Sequence, residues 1–167
     1  MLAVSVNQAA YPAGRTGTCE QYWMADAAQA DGVGSLTVTV LPPDGGEIDV
    51  EGRIQAAGTS QAVLYEGAWT RRTAGADTYY IVRRNANGSW TTLASVSGPD
   101  MAVGDRLAFK LVGSSLSVHR KAVGGSWVQI VAATDATISG AGRFGLEFYN
   151  AAGGKADDWT VSSDLPG

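Results

Sequence analysis

The sequence predicts an all-β domain, built as a two-sheet antiparallel sandwich of jelly-roll type. Many short segments alternate apolar and polar residues, and no segment shows helical periodicity. Turn-forming stretches such as NANGS, VGGS and NAAGGK separate these segments. The 167 residues are 45% hydrophobic and 17% charged, a composition that suits one well-packed domain.

The segments predicted as strands follow one another from residue 34 to residue 163. In chain order they read GSLTVTVL, EIDVEGRI, SQAVLYEGAWTRR, DTYYIVRR, SWTTLAS, DRLAFKLVG, SLSVHRKAVG, SWVQIVAA, GRFGLEFYN and ADDWTVSS. Leu36, Val38 and Val40 share one apolar face of their segment, and Phe144, Leu146 and Phe148 make a clear row facing the core. Because each segment has one apolar face, we expect two sheets stacked face to face.

The two ends of the chain are predicted to lie outside this sandwich. Residues 1–18, with Pro12, Gly14 and Gly17, read as an N-terminal arm through which an oligomer could form. Residues 19–163 form the sandwich, and residues 164–167 form a short tail. The N-terminus has no basic leader, and no apolar run is long enough for a signal peptide or a membrane span. We therefore expect no membrane insertion.

Charge and residue counts exclude several classes of function. A net charge of −4 argues against nucleic acid as the main partner. Cys19 and His119 are the only cysteine and histidine, which leaves no disulfide within the chain, no catalytic thiol and no zinc site. His119 reads as a solvated surface residue. We predict no cofactor and no metal site: Asp157 and Asp158 could contribute oxygens to calcium, but two adjacent acids do not make a site.

A family resemblance is carried by three motifs in the second half of the chain, LVGSSLSV, GRFGLEF and DDWTV. From Tyr79 to Ser163 the chain resembles the concanavalin A-like lectin/glucanase fold, in the LamG-like jelly-roll form. That fold hosts lectins, glycosidases, adhesive modules and virion proteins alike. Similar domains occur in appendages of actinobacterial phages, so the resemblance implies a place on a virion or an extracellular surface.

The stretch GGEIDVE also resembles a motif, the alternating acids of the family 16 glycoside hydrolases. The resemblance implies that Glu47 is the nucleophile, Asp49 tunes it and Glu51 is the general acid/base of a retaining endo-β-glucanase. Two features differ from that family. No aromatic residue lies between Leu36 and Gln61, and DRLAFKLVG lacks the polar aromatics expected there.

The same acids have an alternative interpretation that involves no chemistry. A strand with Ile48 and Val50 in the core must present polar residues outward, and arginines of neighbouring strands could pair with them. The arginines available for this are Arg53, Arg71, Arg72, Arg83 and Arg84.

Sugar binding without cleavage is the third alternative, since such sites combine an exposed ring with polar hydrogen-bonding groups. The rings available are Trp69, Tyr79, Tyr80, Trp90, Trp127 and Tyr149, of which one or two should be exposed. We predict Glu147, Tyr149, Asn150 and Arg53 as carbohydrate-binding residues. The expected function is non-catalytic recognition or attachment, with a glycan or a larger assembly such as a phage virion as partner.

Overall fold

The strands form the framework of the molecule. The computed structural model describes residues 3–5, 8–11, 17–22 and 28–167. The strands in these ranges are β1 (Ala3–Ser5), β2 (Gln8–Ala10), β3 (Thr18–Tyr22), β4 (Gly32–Val40), β5 (Glu47–Gln55), β6 (Val63–Thr70), β7 (Thr78–Arg84), β8 (Trp90–Ser97), β9 (Arg106–Val112), β10 (Ser115–Lys121), β11 (Trp127–Thr134), β12 (Arg143–Tyr149) and β13 (Lys155–Ser162). Within the same ranges, no helix long and apolar enough to cross a membrane is found.

Two antiparallel sheets hold these strands. The seven-stranded sheet has the order β1-β2-β13-β4-β9-β10-β11, and the six-stranded sheet has the order β3-β12-β5-β6-β7-β8. Neighbours that are distant in the sequence, such as β13 and β4 or β12 and β5, run antiparallel to one another. The structure thus confirms the predicted all-β sandwich.

The core lies between the sheets and follows the predicted alternation. Phe148 of β12 and Leu36 of β4 are fully buried in one hydrophobic cluster that both sheets share. At Gly67 of β6 an added Cβ would lie 2.5 Å from the ring of Phe109, so the two sheets approach closely there. Val40 departs from the predicted alternation: it ends β4 and is 39% exposed beside a register shift in the pairing with β13, and the next residue, Leu41, packs against the core instead.

The chain ends are more integrated than an arm and a tail would be. β2 pairs with β13, and β1 pairs with β2, so parts of the predicted arm extend the seven-stranded sheet. Pro12 and Gly14 lie outside the described residues. At the other end, the Trp127 indole N–H donates a hydrogen bond to the carbonyl of Pro166 over 2.6 Å.

Arg53 binds three loops to one end of the sandwich. Its side chain is 1% exposed and donates hydrogen bonds to the carbonyls of Ala30, Gly113 and Ile138. One nitrogen also lies 3.1 Å from a carboxylate oxygen of Asp31. The backbone φ of Arg53 is +50°, and the pairing of β5 with β6 shifts register at this residue. This local change of backbone direction points the side chain toward the loops.

Asp77 joins two loops at the start of β7. Its carboxylate accepts hydrogen bonds from the indole N–H of Trp69 at 2.7 Å and from the backbone N–H groups of Arg72 and Met101 at 2.7 and 2.8 Å. Asp77 is 1% exposed and Trp69 is fully buried. The acid therefore satisfies three donors, of which the Trp69 indole N–H and the Met101 backbone N–H are buried.

His119 differs from the sequence expectation. It is 9% exposed rather than solvated, and one ring nitrogen lies 2.9 Å from the Ser117 hydroxyl oxygen. Burial lowers the pKa of His119, and the charge of Lys110 lowers it further. The neutral ring is thus the favoured form.

Candidate functional site

The outer face of the six-stranded sheet, which points away from the seven-stranded sheet, carries the acids singled out in the sequence. Ile48 and Val50 of β5 enter the core, and Glu47, Asp49 and Glu51 project to the outer face. The predicted sharing of one face by the three acids is therefore correct. Asp49 and Glu51 are nevertheless fully buried.

A groove of about 510 Å³ crosses this outer face. Side chains of β5, β6, β7, β8 and β12 line it, together with the turn between β7 and β8. These residues are Glu47, Glu66, Tyr80, Val82, Arg84, Gly88, Trp90, Glu147 and Tyr149. We refer to this feature as the groove.

Two exposed aromatic rings belong to the groove. Trp90, the first residue of β8, is 47% exposed, and Tyr149, the last residue of β12, is 39% exposed. Among the other aromatic candidates, Trp69 and Tyr79 are fully buried in the core. The expectation that one or two of the six rings are exposed agrees with this arrangement.

Glu47 is held in position at the groove by two hydroxyl groups. Tyr80 donates a hydrogen bond to one carboxylate oxygen over 2.6 Å, and Thr70 donates to the other over 2.9 Å. Burial raises the pKa of Tyr80 far above its usual range, and the charges of Asp49 and Glu47 raise it further. Tyr80 therefore remains a hydrogen-bond donor at any working pH.

Further acids surround Asp49 beneath the groove. Burial raises the pKa of Asp49 well above the usual range of an aspartate, and the charges of Glu66, Glu47 and Glu147 also raise it. Glu51, Glu66 and Glu147 each place a carboxylate oxygen within 4.8 Å of the others. The floor of the groove is thus a concentrated acidic region.

Among the described residues, the arginines predicted to pair with these acids make other contacts. The ion pairs of Arg53 and Arg83 join Asp31 and Asp135 instead. Arg84 lines the groove and donates a hydrogen bond to the carbonyl of Ala62. The reason is geometric, since Arg53 and Arg83 direct their side chains to loops rather than to the outer face.

The structure brings together two of the four predicted sugar-binding residues. Glu147 and Tyr149 line the groove. Asn150 follows Tyr149, is exposed, and accepts a hydrogen bond from the backbone N–H of Gly17 over 3.0 Å. Arg53 lies buried near the opposite end of β5 from Glu47, so a sugar in the groove does not reach it.

Sequence reasoning missed Glu66 and Val82 as groove residues. Glu66 left one signal, because it is the only charged residue in the strand segment AVLYEGAWT. Its position next to Glu51 depends on the pairing of β5 with β6, which the sequence does not display. The other acids considered are Asp157, which accepts a hydrogen bond from the Asp158 backbone N–H, and Asp158, whose carboxylate accepts one from the Thr37 hydroxyl group over 3.0 Å.

Comparison with known proteins finds solved structures of similar fold. No family model matches the sequence, and no curated protein matches it. The carbohydrate-binding module CBM66 from Bacillus subtilis superposes with a TM-score of 0.68 at 16% identity, over 98% of this chain and 91% of that one. The VIP36 exoplasmic/lumenal domain, in its Ca²⁺/Man3GlcNAc-bound form, gives 0.64 at 11% identity, over 99% and 82%.

A third structure agrees with these two. The legume lectin-like domain from Entamoeba histolytica superposes with a TM-score of 0.60 at 11% identity, over 96% of this chain and 84% of that one. Identities this low carry information on fold and not on ligand. Together with the two antiparallel sheets, they establish that the chain has the concanavalin A-like jelly-roll fold.

Proposed function

We propose that this protein is a non-catalytic recognition module that binds carbohydrate in the groove. The observation that carries the proposal is the placement of two exposed rings, Trp90 and Tyr149, on either side of hydrogen-bonding carboxylates. Ring faces can stack on the apolar faces of sugars, and Glu47, Glu66 and Arg84 can bind the hydroxyl groups between them.

The spacing of the rings favours an oligosaccharide over a single sugar. β12 and β8 are four strand spacings apart in the six-stranded sheet, which amounts to about 19 Å. One sugar ring cannot contact Trp90 and Tyr149 together across that distance. We therefore propose that several sugar units occupy the groove at once.

The charge of the groove points to the class of sugar. Of the residues that the structure describes, those lining the groove include three carboxylates and one guanidinium, that of Arg84. Acidic sugars such as uronates would meet repulsion there, whereas neutral or basic sugars would not. The solved structures of similar fold support the proposal, because their names include a carbohydrate-binding module and a lectin-like domain.

We expect Trp90→Ala and Tyr149→Ala each to weaken binding of the preferred oligosaccharide at least tenfold, because each removes a stacking surface. Isothermal titration calorimetry with neutral glucan and mannan oligomers, chitosan oligomers and galacturonan oligomers measures this. Val123→Ala is the matched control, since Val123 is 70% exposed in the turn between β10 and β11, away from the groove.

Two results would contradict the proposal. Unchanged affinity in both ring variants would show that sugars bind elsewhere on the molecule. An equal loss in Val123→Ala would show that the effect is not specific to the groove.

The structure also bears on the hydrolase alternative. A retaining glycosidase needs two carboxyl groups beside the scissile bond. Glu47 reaches the groove, but Glu51 is fully buried and grouped with Glu66 and Glu147. The buried position of Glu51 favours binding over cleavage.

We accordingly expect no reducing-end release from β-1,3 or mixed-linkage glucans above the level of a Glu47→Gln variant. A colorimetric reducing-sugar assay on both proteins checks this. Turnover by the wild type that disappears in Glu47→Gln would instead establish Glu47 as a nucleophile.

The finer proposal is that the module decorates a larger assembly, such as a phage virion, at a virion or extracellular surface. The sequence resemblance to phage appendage domains supports it. β1 lies at the edge of the seven-stranded sheet as described. An edge strand offers backbone groups for pairing with another chain, which supports an oligomer formed through the N-terminal segment.

A further inference from the structure

A second pocket opens beside the turn between β7 and β8, at the end of the sandwich where Arg53 binds three loops. Ends of β5, β6 and β7 line it, together with the loop between β11 and β12. Its volume is about 310 Å³, within the range of about 300 to 1,000 Å³ that is usual for ligand sites. We refer to this feature as the arginine pocket, because Arg83 and Arg84 are among its lining residues.

The arginine pocket differs from the groove in its charge. Among the described residues that line it, Arg83 and Arg84 are charged and none is an acid, whereas three carboxylates line the groove. The chain as a whole has a net charge of −4, so a pocket lined by guanidinium groups is a local exception. Anions are the ligands that such a pocket attracts.

Arg83 is held in place by three acceptors. Its Nε donates a hydrogen bond to the Asn85 side-chain oxygen over 2.9 Å, and one terminal nitrogen donates to Asp135 and to the Thr137 hydroxyl group. Asp135 also compensates the charge of Arg83, since the two form an ion pair. These contacts join β7 to the loop after β11, so this side of the pocket is formed before a ligand arrives. Such preorganisation lowers the entropic cost of binding.

Arg84 provides the charge that remains for a ligand. One terminal nitrogen donates a hydrogen bond to the carbonyl of Ala62 over 3.0 Å, which orients the half-buried side chain. Among the residues that the structure describes, Arg84 forms no ion pair, and its Nε and second terminal nitrogen donate no hydrogen bond. These two nitrogens form the fork with which an arginine binds an oxyanion through two parallel hydrogen bonds.

Uncharged residues complete the lining of the pocket. Gln55 and Ser139 contribute an amide and a hydroxyl group, and Val63 and Ile138 contribute apolar surface. Gly140 allows the Gln55 side chain to approach its loop, because an added Cβ there would lie 2.9 Å from the amide nitrogen. Ligand sites for small molecules typically combine apolar surface with a few such polar groups.

We propose that the arginine pocket binds an oxyanion, the carboxylate or sulfate group of a small ligand such as an acidic sugar unit. Arg84 binds the oxyanion through its fork, and Gln55 and Ser139 bind neighbouring hydroxyl groups. The site does not depend on glycan binding in the groove, although Arg84 borders both. It would recognise acidic groups, which the carboxylates of the groove repel.

The test follows the backbone amide signals of the β7–β8 turn and the arginine Nε–H signals by NMR, using the intact chain at constant ionic strength. Glucuronate, glucose 6-sulfate and inorganic sulfate are titrated separately, with glucose as the neutral probe. The anions should shift these signals with dissociation constants of about 1 to 10 mM, and glucose should not. Tighter binding of the acidic sugars would identify a sugar as the source of the oxyanion, tighter binding of sulfate would identify the free anion, and either order supports the site.

Two kinds of variant locate the bound anion. Arg84→Gln should weaken binding about tenfold or more, and Arg84→Lys should recover only part of this loss, because an ammonium group lacks the fork. Ala86→Glu places a carboxylate at an exposed lining position and should weaken binding to a similar extent by repulsion. This variant keeps the test valid if Arg84→Gln fails to fold.

Matched controls make the same changes at the opposite end of the six-stranded sheet. Arg72→Gln follows the far end of β6, and Ala152→Glu follows the far end of β12, both at exposed positions. Each alters the net charge as the corresponding pocket variant does. Both should leave the affinity for glucuronate unchanged.

Three outcomes would overturn the proposal. Signals that stay unchanged at about 50 mM of every anion would mean that water and the Ala62 carbonyl suffice for Arg84. Glucose that shifts the same signals as strongly as glucuronate would show that the oxyanion is not what the pocket recognises. Binding that survives in Ala86→Glu and is lost in Trp90→Ala would place the anion in the groove.

Discussion

Replacing Arg53 by Met will lower the free energy of unfolding by about 3 to 5 kcal/mol, among the largest losses from a single change. Methionine keeps an unbranched apolar side chain, shorter than that of arginine, but has no hydrogen-bond donor. The carbonyls of Ala30, Gly113 and Ile138 would then lose the hydrogen bonds that now bind their loops to the sandwich. An orphaned buried carbonyl costs about 1 to 3 kcal/mol.

Chemical denaturation monitored by tryptophan fluorescence measures this loss, and the melting temperature should fall by roughly 10 °C. Arg53→Lys should be intermediate, because an ammonium cannot reproduce the planar fork of donors that contacts four acceptors. Arg72→Met is the matched control: Arg72 is exposed, so the same change should cost less than about 0.5 kcal/mol.

A loss below about 1 kcal/mol in Arg53→Met would contradict this account. It would show that water enters the end of the sandwich and takes over the three carbonyls. In that case the arginine would be a dispensable contact rather than the group that closes the loops.

Alternation along the strands predicted which face each side chain occupies, and this succeeded wherever a strand runs fully between the sheets. Ile48 and Val50 enter the core, and the acids beside them face outward. Alternation failed at Val40, because a register shift against β13 interrupts the period of two there and Leu41 packs against the core instead. The period of two indicates on which face of the sheet a side chain lies, and it carries no information on what covers that residue.

The same limit of strand alternation explains why the burial of the acids was not predicted. Glu47, Asp49 and Glu51 were expected to be either catalytic or solvated, yet Asp49 and Glu51 are fully buried. Their surroundings come from Glu66 and Glu147, which are placed beside them by the order β12-β5-β6. Strand order depends on contacts between distant parts of the chain, so no local pattern displays it.

The groove was partly predictable, because local patterns identify some of its residues but not the strand arrangement that exposes them. Tyr149 was identified because it ends a clear strand beside Glu147, and both residues line the groove. Trp90 could be named only as one of six rings, since its exposure depends on where β8 ends in the sheet. Arg53 was misjudged because a positive φ at a register shift changes the direction of its side chain.

Replacing Asp77 by Ala will lower the free energy of unfolding by about 3 to 5 kcal/mol, as much as replacing Arg53 by Met. The carboxylate is the acceptor for the indole N–H of Trp69 and for the backbone N–H groups of Arg72 and Met101. Hydrogen bonds to a charged group contribute about 1.5 to 3 kcal/mol each, and Trp69 has no access to water.

Asp77→Asn should lower the free energy of unfolding less, because the amide oxygen still accepts a hydrogen bond, whereas the amide nitrogen accepts none. Asp100→Ala is the neighbouring control: Asp100 is exposed and accepts one hydrogen bond, from the Asp77 backbone N–H over 3.1 Å. Guanidinium denaturation of these variants should therefore rank Asp77→Ala, Asp77→Asn and Asp100→Ala in order of decreasing loss.

A double-mutant cycle isolates the contact between Asp77 and Trp69. Trp69→Phe removes the indole N–H, so adding Asp77→Ala to it should cost about 1 to 3 kcal/mol less than adding Asp77→Ala to the wild type. Strict additivity would mean that the indole N–H gains nothing from Asp77, and the cost would then lie wholly in the two loops. A positive coupling would show that one buried acid both closes the β6–β7 connection and holds the largest side chain of the core.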